Sequence, residues 1–256
     1  MKLVWKSFSI CKDGNREEEN EDAVFPVIAS GTSLWSDGFS CAMADGATQA
    51  SFSKLWANLL VKETGRSQNL TQDLPQALFA AHSSWKNQLN QIDLPWPVEV
   101  KMQQGAHSTL LWFHIWHRNG AGPLNDAPPR GWTSNAIGDT CVFQVTKGKS
   151  SEGFPFTSSE QFSNSPELVS TNSLHRAKLT QRTISGTWQK GDYFLIASDA
   201  LAEWLVRNLA SQKTTWASVH DHLTSLVRYQ NWIRALRKHN LIKNDDTTLI
   251  CLSVDE

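Results

Sequence analysis

The sequence predicts an α+β layered domain. Three observations carry this: apolar runs of strand length toward both ends of the chain, helical stripes gathered between those runs instead of alternating with each strand, and no internal repeat. "LVWKSFSIC" (3–11), "AVFPVIAS" (23–30) and "GFSCAMA" (38–44) read as strands. Phe52, Leu55, Trp56, Leu59 and Leu60 then fall at i, i+3, i+4, i+7 and i+8, one apolar stripe of a helix. A second stripe, Leu74, Leu78, Ala81, Trp85 and Leu89, starts at Asp73 with Pro75 just inside the helix. Strands at 107–116 ("HSTLLWFHIW") and 140–146 ("TCVFQVT") flank a Gly/Pro-rich loop at 118–131. "DYFLIAS" (192–198) is a strand that leads into Leu201, Trp204, Leu205 and Leu209 at helical spacing. A long helix is predicted from Thr215 to Lys238, carrying Val219, Leu223, Leu226, Val227 and Ile233, and "TTLICLSV" (247–254) is the last strand. A single domain over 1–256 is expected, with the polar stretch 147–187 as a flap or long loop.

Lys plus Arg number 24 against 25 Asp plus Glu, so no basic excess is available to hold a nucleic-acid backbone. The longest apolar stretch, "STLLWFHIW", is too short to span a bilayer, and the N-terminal residues lack a signal-peptide apolar region; no membrane association and a cytoplasmic location are expected. Cys11, Cys41, Cys141 and Cys251 have no C-x-x-C spacing and read as small buried hydrophobes. The 12 tryptophans, with no basic residues interleaved, point to an aromatic core and not to a base-stacking platform. His107 and His114, on or beside a buried strand, read as structural histidines. Arg228, Arg234, Arg237 and Lys238 read as a solvated helix face.

The aspartates are more informative. Asp22 precedes the second strand, Asp45 closes the third, Asp139 opens the fifth, Asp199 closes the sixth, and Asp245 and Asp246 precede the last. A lone aspartate at a strand end is more often a turn or cap residue. Asp45 is different, because it is in step with Phe39, Cys41 and Met43 and so belongs to their buried face. If these strand ends converge, the carboxylates repel one another unless cations sit among them, and oxygen ligands without His or Cys select Mg²⁺ or Mn²⁺.

Five segments, "NEDAV" (20–24), "MADGA" (43–47), "GDTCVFQV" (138–145), "IASDALAEWL" (196–205) and "NDDTTLICL" (244–252), occur in the order found in the metal-dependent (PPM-type, or 2C-type) protein serine/threonine phosphatases, and the chain resembles a bacterial-style member. The resemblance implies two antiparallel β-sheets packed together and flanked by helices, a four-layer αββα sandwich with a binuclear Mn²⁺ or Mg²⁺ centre at one end. It assigns the metals to Asp22, Asp45 and the Gly46 carbonyl, with Asp45 bridging, and to Asp199 and Asp245. Asp139, with Asp199, corresponds to a third, weaker site of bacterial members. It further implies hydrolysis of phosphoserine and phosphothreonine on proteins by a hydroxide shared between the metals, a substrate phosphorylated by a partner Ser/Thr kinase, and a monomer.

The chain departs from the family pattern at identifiable points. Arg16, the candidate for the phosphate-binding arginine, lies one residue further from Asp22 than usual, and two readings stand: phosphate binding, or part of the solvated run "REEENED". Ala47-Thr48-Gln49 replaces the usual residues after Asp45-Gly46, without the general-acid histidine of eukaryotic members, and Ala200 replaces the glycine after Asp199. These departures support an alternative, a catalytically weak or dead homologue serving as a phosphoprotein-binding or regulatory scaffold.

Overall fold

Strands whose successive residues are all apolar need cover on both faces, and the fold supplies it. The structure, a computed structural model, describes residues 2–27, 30–34, 38–47, 52–90, 105–117, 130–146, 152–163, 165–172, 179–209 and 216–255. Its strands are β1 (Lys2–Ile10), β2 (Asp22–Phe25), β3 (Ser30–Leu34), β4 (Phe39–Asp45), β5 (His107–Ser108), β6 (Leu110–His117), β7 (Arg130–Ile137), β8 (Cys141–Val145), β9 (Gly153–Phe154), β10 (Val169–Ser170), β11 (Arg182–Gly186), β12 (Tyr193–Ala197) and β13 (Thr247–Asp255). The helices are α1 (Ser53–Thr64), α2 (Leu70–Leu89), α3 (Asp199–Leu209), α4 (Trp216–His222) and α5 (Leu226–Lys238).

Among the described residues, one large sheet has the order β3-β1-β13-β12-β8-β9 and the other β11-β7-β6-β4-β2, while β10 and β5 form a small two-stranded sheet, with all pairings antiparallel. Strand alternation then divides the apolar residues into three cores. Cys41, Met43, Leu111 and Phe113 from one sheet meet Phe194, Ile196, Ile250 and Leu252 from the other, filling the space between them. Their neighbours Ala42, Ala44, Leu110 and Trp112 face outward onto α1 and α2, while Leu195, Ala197, Leu249 and Cys251 face α3 to α5. The result is the expected layering: helices, sheet, sheet, helices. Each large side chain removed from water contributes about 1.5–3 kcal/mol.

Several expected boundaries move. The second strand stops at Phe25, before Pro26, which has no N–H to give a sheet ladder. The second helix starts at Leu70, so Pro75 is its sixth residue and not its first-turn residue. The predicted helix from Thr215 to Lys238 is two helices, because the Ser225 side chain caps α5 by accepting from the Arg228 N–H at 3.3 Å. That break shifts the register, leaving Leu226 and Val227 49% and 65% exposed, while Tyr229, Trp232, Ile233 and Leu236 form the buried stripe. The stretch 147–187 contributes β9, β10, β11 and a 3-10 turn at Ser159–Gln161 within its described part. Residues 118–129 of the Gly/Pro-rich loop lie outside the described residues.

Phe113→Ala, between the sheets, is expected to lower unfolding free energy by about 3–5 kcal/mol, and Ser225→Ala by about 1 kcal/mol, both read from urea denaturation. Equal effects would contradict the layer assignment.

Candidate metal centre

Antiparallel registry carries the chosen aspartates to one end of the sandwich. Asp22, the first residue of β2, is the direct cross-strand partner of Asp45, the last of β4. Met43 pairs with Leu111 near the start of β6, and Leu110 pairs with Ile137 at the end of β7. The chain then crosses through Gly138-Asp139-Thr140 to the other sheet, where the start of β8, the end of β12 and the start of β13 lie together (Cys141 opposite Ala197, Ala197 opposite Leu249). Asp199 follows β12 and Asp245 precedes β13, so both reach the same end.

Hydrogen bonds hold the backbone beneath these side chains. The Asp45 N–H donates to Thr109 Oγ1 (3.0 Å), and the Asp45 carbonyl accepts from the Thr109 N–H (2.9 Å) and Ser108 Oγ (2.8 Å). Thr109 Oγ1 in turn lies 2.9 Å from Thr140 Oγ1, linking the Asp45 and Asp139 segments. Gly46 is closely packed: a Cβ would sit 3.0 Å from the Ser53 carbonyl carbon and 3.1 Å from the Glu21 carbonyl oxygen, so a side chain there would need its neighbours to yield by a few tenths of an ångström. Gly138 has φ +100°, and a Cβ there would approach the Glu167 carbonyl oxygen to 2.9 Å.

The carboxylates themselves are poorly satisfied. Both oxygens of Asp22 and Oδ1 of Asp139 are buried with no hydrogen-bond partner. Asp199 Oδ1 accepts from the Ala200 N–H (2.6 Å) and Asp245 Oδ1 from the Asp246 N–H (2.9 Å). Ala200 is accommodated as a buried residue in the first turn of α3. Burial, and then the charge of Asp246 and Asp199, pushes Asp22 up to about 8, against the opposing influence of the nearby Thr248 and Ser198 hydroxyls. Burial also lifts Asp45 well above the carboxylate range, helped by Asp22, Asp199, Asp139 and Asp245. Asp139 is raised to about 7 by burial and Asp199, and Asp199 to about 6 by burial and Asp245. Asp22, Asp45, Asp139 and Asp199 are thus each destabilised as anions by at least one neighbouring carboxylate.

A cavity of about 460 Å³ is lined by Asp45, Gly46, Asp139, Asp199, Asp245 and Lys243, with Ser163, Ser165, Pro166 and Leu168 at its wall. Asp22 lines a second cavity, together with Arg16. Arg16 starts the 3-10 turn Glu17–Glu19, its N–H donating to Glu19 Oε2 (2.8 Å) and its Nε 3.5 Å from the same oxygen. Ala47 lines the first cavity, whereas Thr48 and Gln49 lie outside the described residues. His114 is structural, buried, with Nδ1 2.8 Å from Ser40 Oγ and its pKa lowered to about 4 by burial.

The supporting roles of three residues escaped the sequence reading. The buried Asp246 carboxylate accepts from the Lys12 N–H (2.9 Å) and the Glu21 N–H (2.8 Å), binding both ends of the loop that carries Arg16 and leads into Asp22. Arg237, read as solvated, is buried: Nη2 donates to the Asp245 carbonyl (2.6 Å) and Thr247 Oγ1 (3.0 Å), and Nη1 to the Cys11 carbonyl (2.8 Å) and Asp13 Oδ1 (3.0 Å). The available signal was its spacing, four residues beyond Ile233 on the buried stripe of α5. Lys243 stands 3.7 Å from Glu203, and its charge offsets part of the upward shift of Asp139 and Asp199.

No family model and no curated protein sequence matches the chain. Solved structures do. The serine/threonine phosphatase PstP/Ppp of Mycobacterium tuberculosis superposes with a TM-score of 0.60 at 16% identity over 100% of both chains. The PstP catalytic domain in complex with two manganese ions gives 0.59 at 15% identity, again over 100% of both chains. The phosphatase Stp1 from Staphylococcus aureus gives 0.59 at 13% identity, covering 98% of this chain and 95% of that one. The chain has the PPM-type phosphatase fold. Identities this low establish the fold alone, so the chemistry has to be argued from the site.

The PPM-type sandwich here offers only oxygen donors among the predicted ligands, and the partnerless oxygens of Asp22 and Asp139 fit a hard divalent cation. Among the described residues, no three carboxylate, imidazole or thiol groups already stand together as a formed cage for one ion.

These shifts set a pH dependence. In chelator-treated protein the raised carboxyls bind protons in the folded state that they lose when unfolded, so their contribution is fully present below the ordinary value of 3.8 and is lost as pH rises to about 8. The Tm of the metal-free protein is expected to fall from about pH 5 to pH 8, with Asp22→Asn flattening the decline; a Tm rising over this range in both proteins would contradict it. Asp246→Ala, which strands two backbone donors, is expected to cost about 1–3 kcal/mol in chemical denaturation.

Proposed function

We propose that the protein hydrolyses phosphoserine and phosphothreonine in proteins with Mn²⁺ or Mg²⁺. The observation that carries the reading is the buried, partnerless carboxylate oxygen set of Asp22 and Asp139, crowded with Asp45 at one end of a PPM-type sandwich. Asp22, Asp45 and the Gly46 carbonyl would hold one ion, and Asp45, Asp199 and Asp245 a second, with Asp139 and Asp199 available to a third. Divalent ions at such a site neutralise the developing charge of a phosphoryl group and lower the pKa of water.

The protein's own groups do the rest. Thr109 and Ser108 fix the Asp45 backbone, and Arg237 and Asp246 fix the segments bearing Asp245 and Asp22. Arg16 lines the same cavity as Asp22, and its exposed side chain, held among the described residues only by the 3.5 Å contact with Glu19, would turn toward a phosphate. Burial raises the Cys41, Cys141 and Cys251 thiols far above neutrality, and the fourth thiol, Cys11, donates to the Asn15 carbonyl (3.3 Å). Direct attack by water, without a phospho-enzyme, suits this inventory. The substrate would be a phosphoprotein made by a partner kinase, met in the cytoplasm by a monomer.

A regulatory scaffold built on the same fold gains nothing from burying both Asp22 oxygens and Asp139 Oδ1 without a partner, which is unfavourable without cations. Turnover of p-nitrophenyl phosphate and a phosphothreonine peptide is expected with Mn²⁺, to be lost with chelator, and to fall at least about 100-fold in Asp45→Ala and Asp199→Asn. Metal-independent turnover, or full activity in both variants, would overturn the assignment. An inactive wild type at saturating metal would favour the scaffold.

A further inference from the structure

The cavity beside Asp22 measures about 860 Å³, far more than a phosphate needs and within the range of clefts that enclose larger ligands. Its walls come from β1, the loop carrying Arg16, the start of α1 and the start of α5. Four cations face it, Lys6, Arg16, Lys54 and Arg234, against two acids, Glu17 and Asp22. The chain as a whole has a formal net charge of −1, so this positive excess is local.

The four charges are weakly compensated. Lys54 Nζ donates to the Glu18 carbonyl oxygen (2.6 Å), which is not a carboxylate. The Arg16 pair with Glu19 is a 3.5 Å contact on a side chain 77% exposed, where screening leaves little strength. Among the described residues, no carboxylate pairs with Lys6 or Arg234. Exposed apolar groups, Leu226 and Val27 (80% exposed), lie among these cations. Cations drawn from four separate elements onto one cleft, with apolar side chains between them, match an anionic peptide strand better than a small anion.

We propose that this groove binds acidic residues flanking the phosphorylated residue of a protein substrate. The placement of the phosphate itself rests on the phosphatase reading above, whereas the groove's affinity for an acidic peptide is measurable without turnover. Lys54 and Arg234 are specificity residues in this account, supplied by α1 and α5 and not among the predicted metal ligands.

The test uses three phosphothreonine peptides with acidic, neutral and basic flanks, and the double variant Lys54→Ala/Arg234→Ala beside Lys54→Arg/Arg234→Lys. The expected result is the lowest KM for the acidic peptide in wild type and a rise of about tenfold in that KM in the alanine variant. Its kcat and its turnover of p-nitrophenyl phosphate should be unchanged, and the charge-keeping variant should behave as wild type. Fluorescence anisotropy of a labelled, unphosphorylated acidic peptide on chelator-treated protein should show salt-sensitive binding that the alanine variant loses. Equal KM values for the three peptides, a preference for basic flanks, or an unchanged alanine variant would overturn the proposal. So would alanine-variant loss of binding to phosphatidylserine vesicles with peptide KM unmoved, which would make the groove a lipid contact. Peptide binding by a wild type that turns over nothing would sustain the groove and remove the phosphatase reading.

Discussion

Asp22 and Asp45 stand opposite each other on adjacent antiparallel strands, and the rest of the site follows from that pairing. Like charges in direct cross-strand register destabilise a sheet, and here both lie in buried surroundings that penalise either charge alone. The register cannot slip to relieve them, because a one-residue shift would turn Cys41 and Met43 out of the core between the sheets. The sandwich therefore imposes two crowded carboxylates at its rim. Asp139, Asp199 and Asp245 arrive from the other sheet and increase the repulsion.

The surroundings are built to keep that arrangement. Thr109 and Thr140 tie the Asp45 strand to the Asp139 crossing, and Asp246 gathers the loop between β1 and β2. Arg237 reaches from α5 to the Asp245 carbonyl and to the loop end at Cys11 and Asp13, so one buried side chain couples a helix to two segments of the site. Of these groups Thr109 also lines the cavity, whereas Arg237 and Asp246 stand behind it. Their work is to position the acids, while the charged groups that line the cavity are Asp45, Asp139, Asp199, Asp245 and Lys243.

Much of this was legible in the sequence. The layered fold could be read because β6, β12 and β13 are buried on both faces and so appear as unbroken apolar runs, and Asp45 could be singled out because it keeps step with Cys41 and Met43. The break between α4 and α5 was not legible, because Leu226 and Val227 continue an apolar count that a serine cap interrupts. Arg237 was read as solvated because a charged residue near a helix end looks so until its tertiary partners are known, and Asp246, noted beside Asp245, showed its structural role only once the Lys12 and Glu21 N–H groups were placed. Arg234 was also read as solvated face, and only the approach of α5 to β1 gives it a groove to line.

The central claim is that the converging strand ends form a divalent-cation site. Anomalous diffraction at the manganese edge, from crystals grown with Mn²⁺, tests it most directly. The account predicts two strong peaks, one bounded by Asp22, Asp45 and the Gly46 carbonyl and one by Asp45, Asp199 and Asp245. No peak among these residues, with manganese bound only elsewhere on the protein, would contradict it.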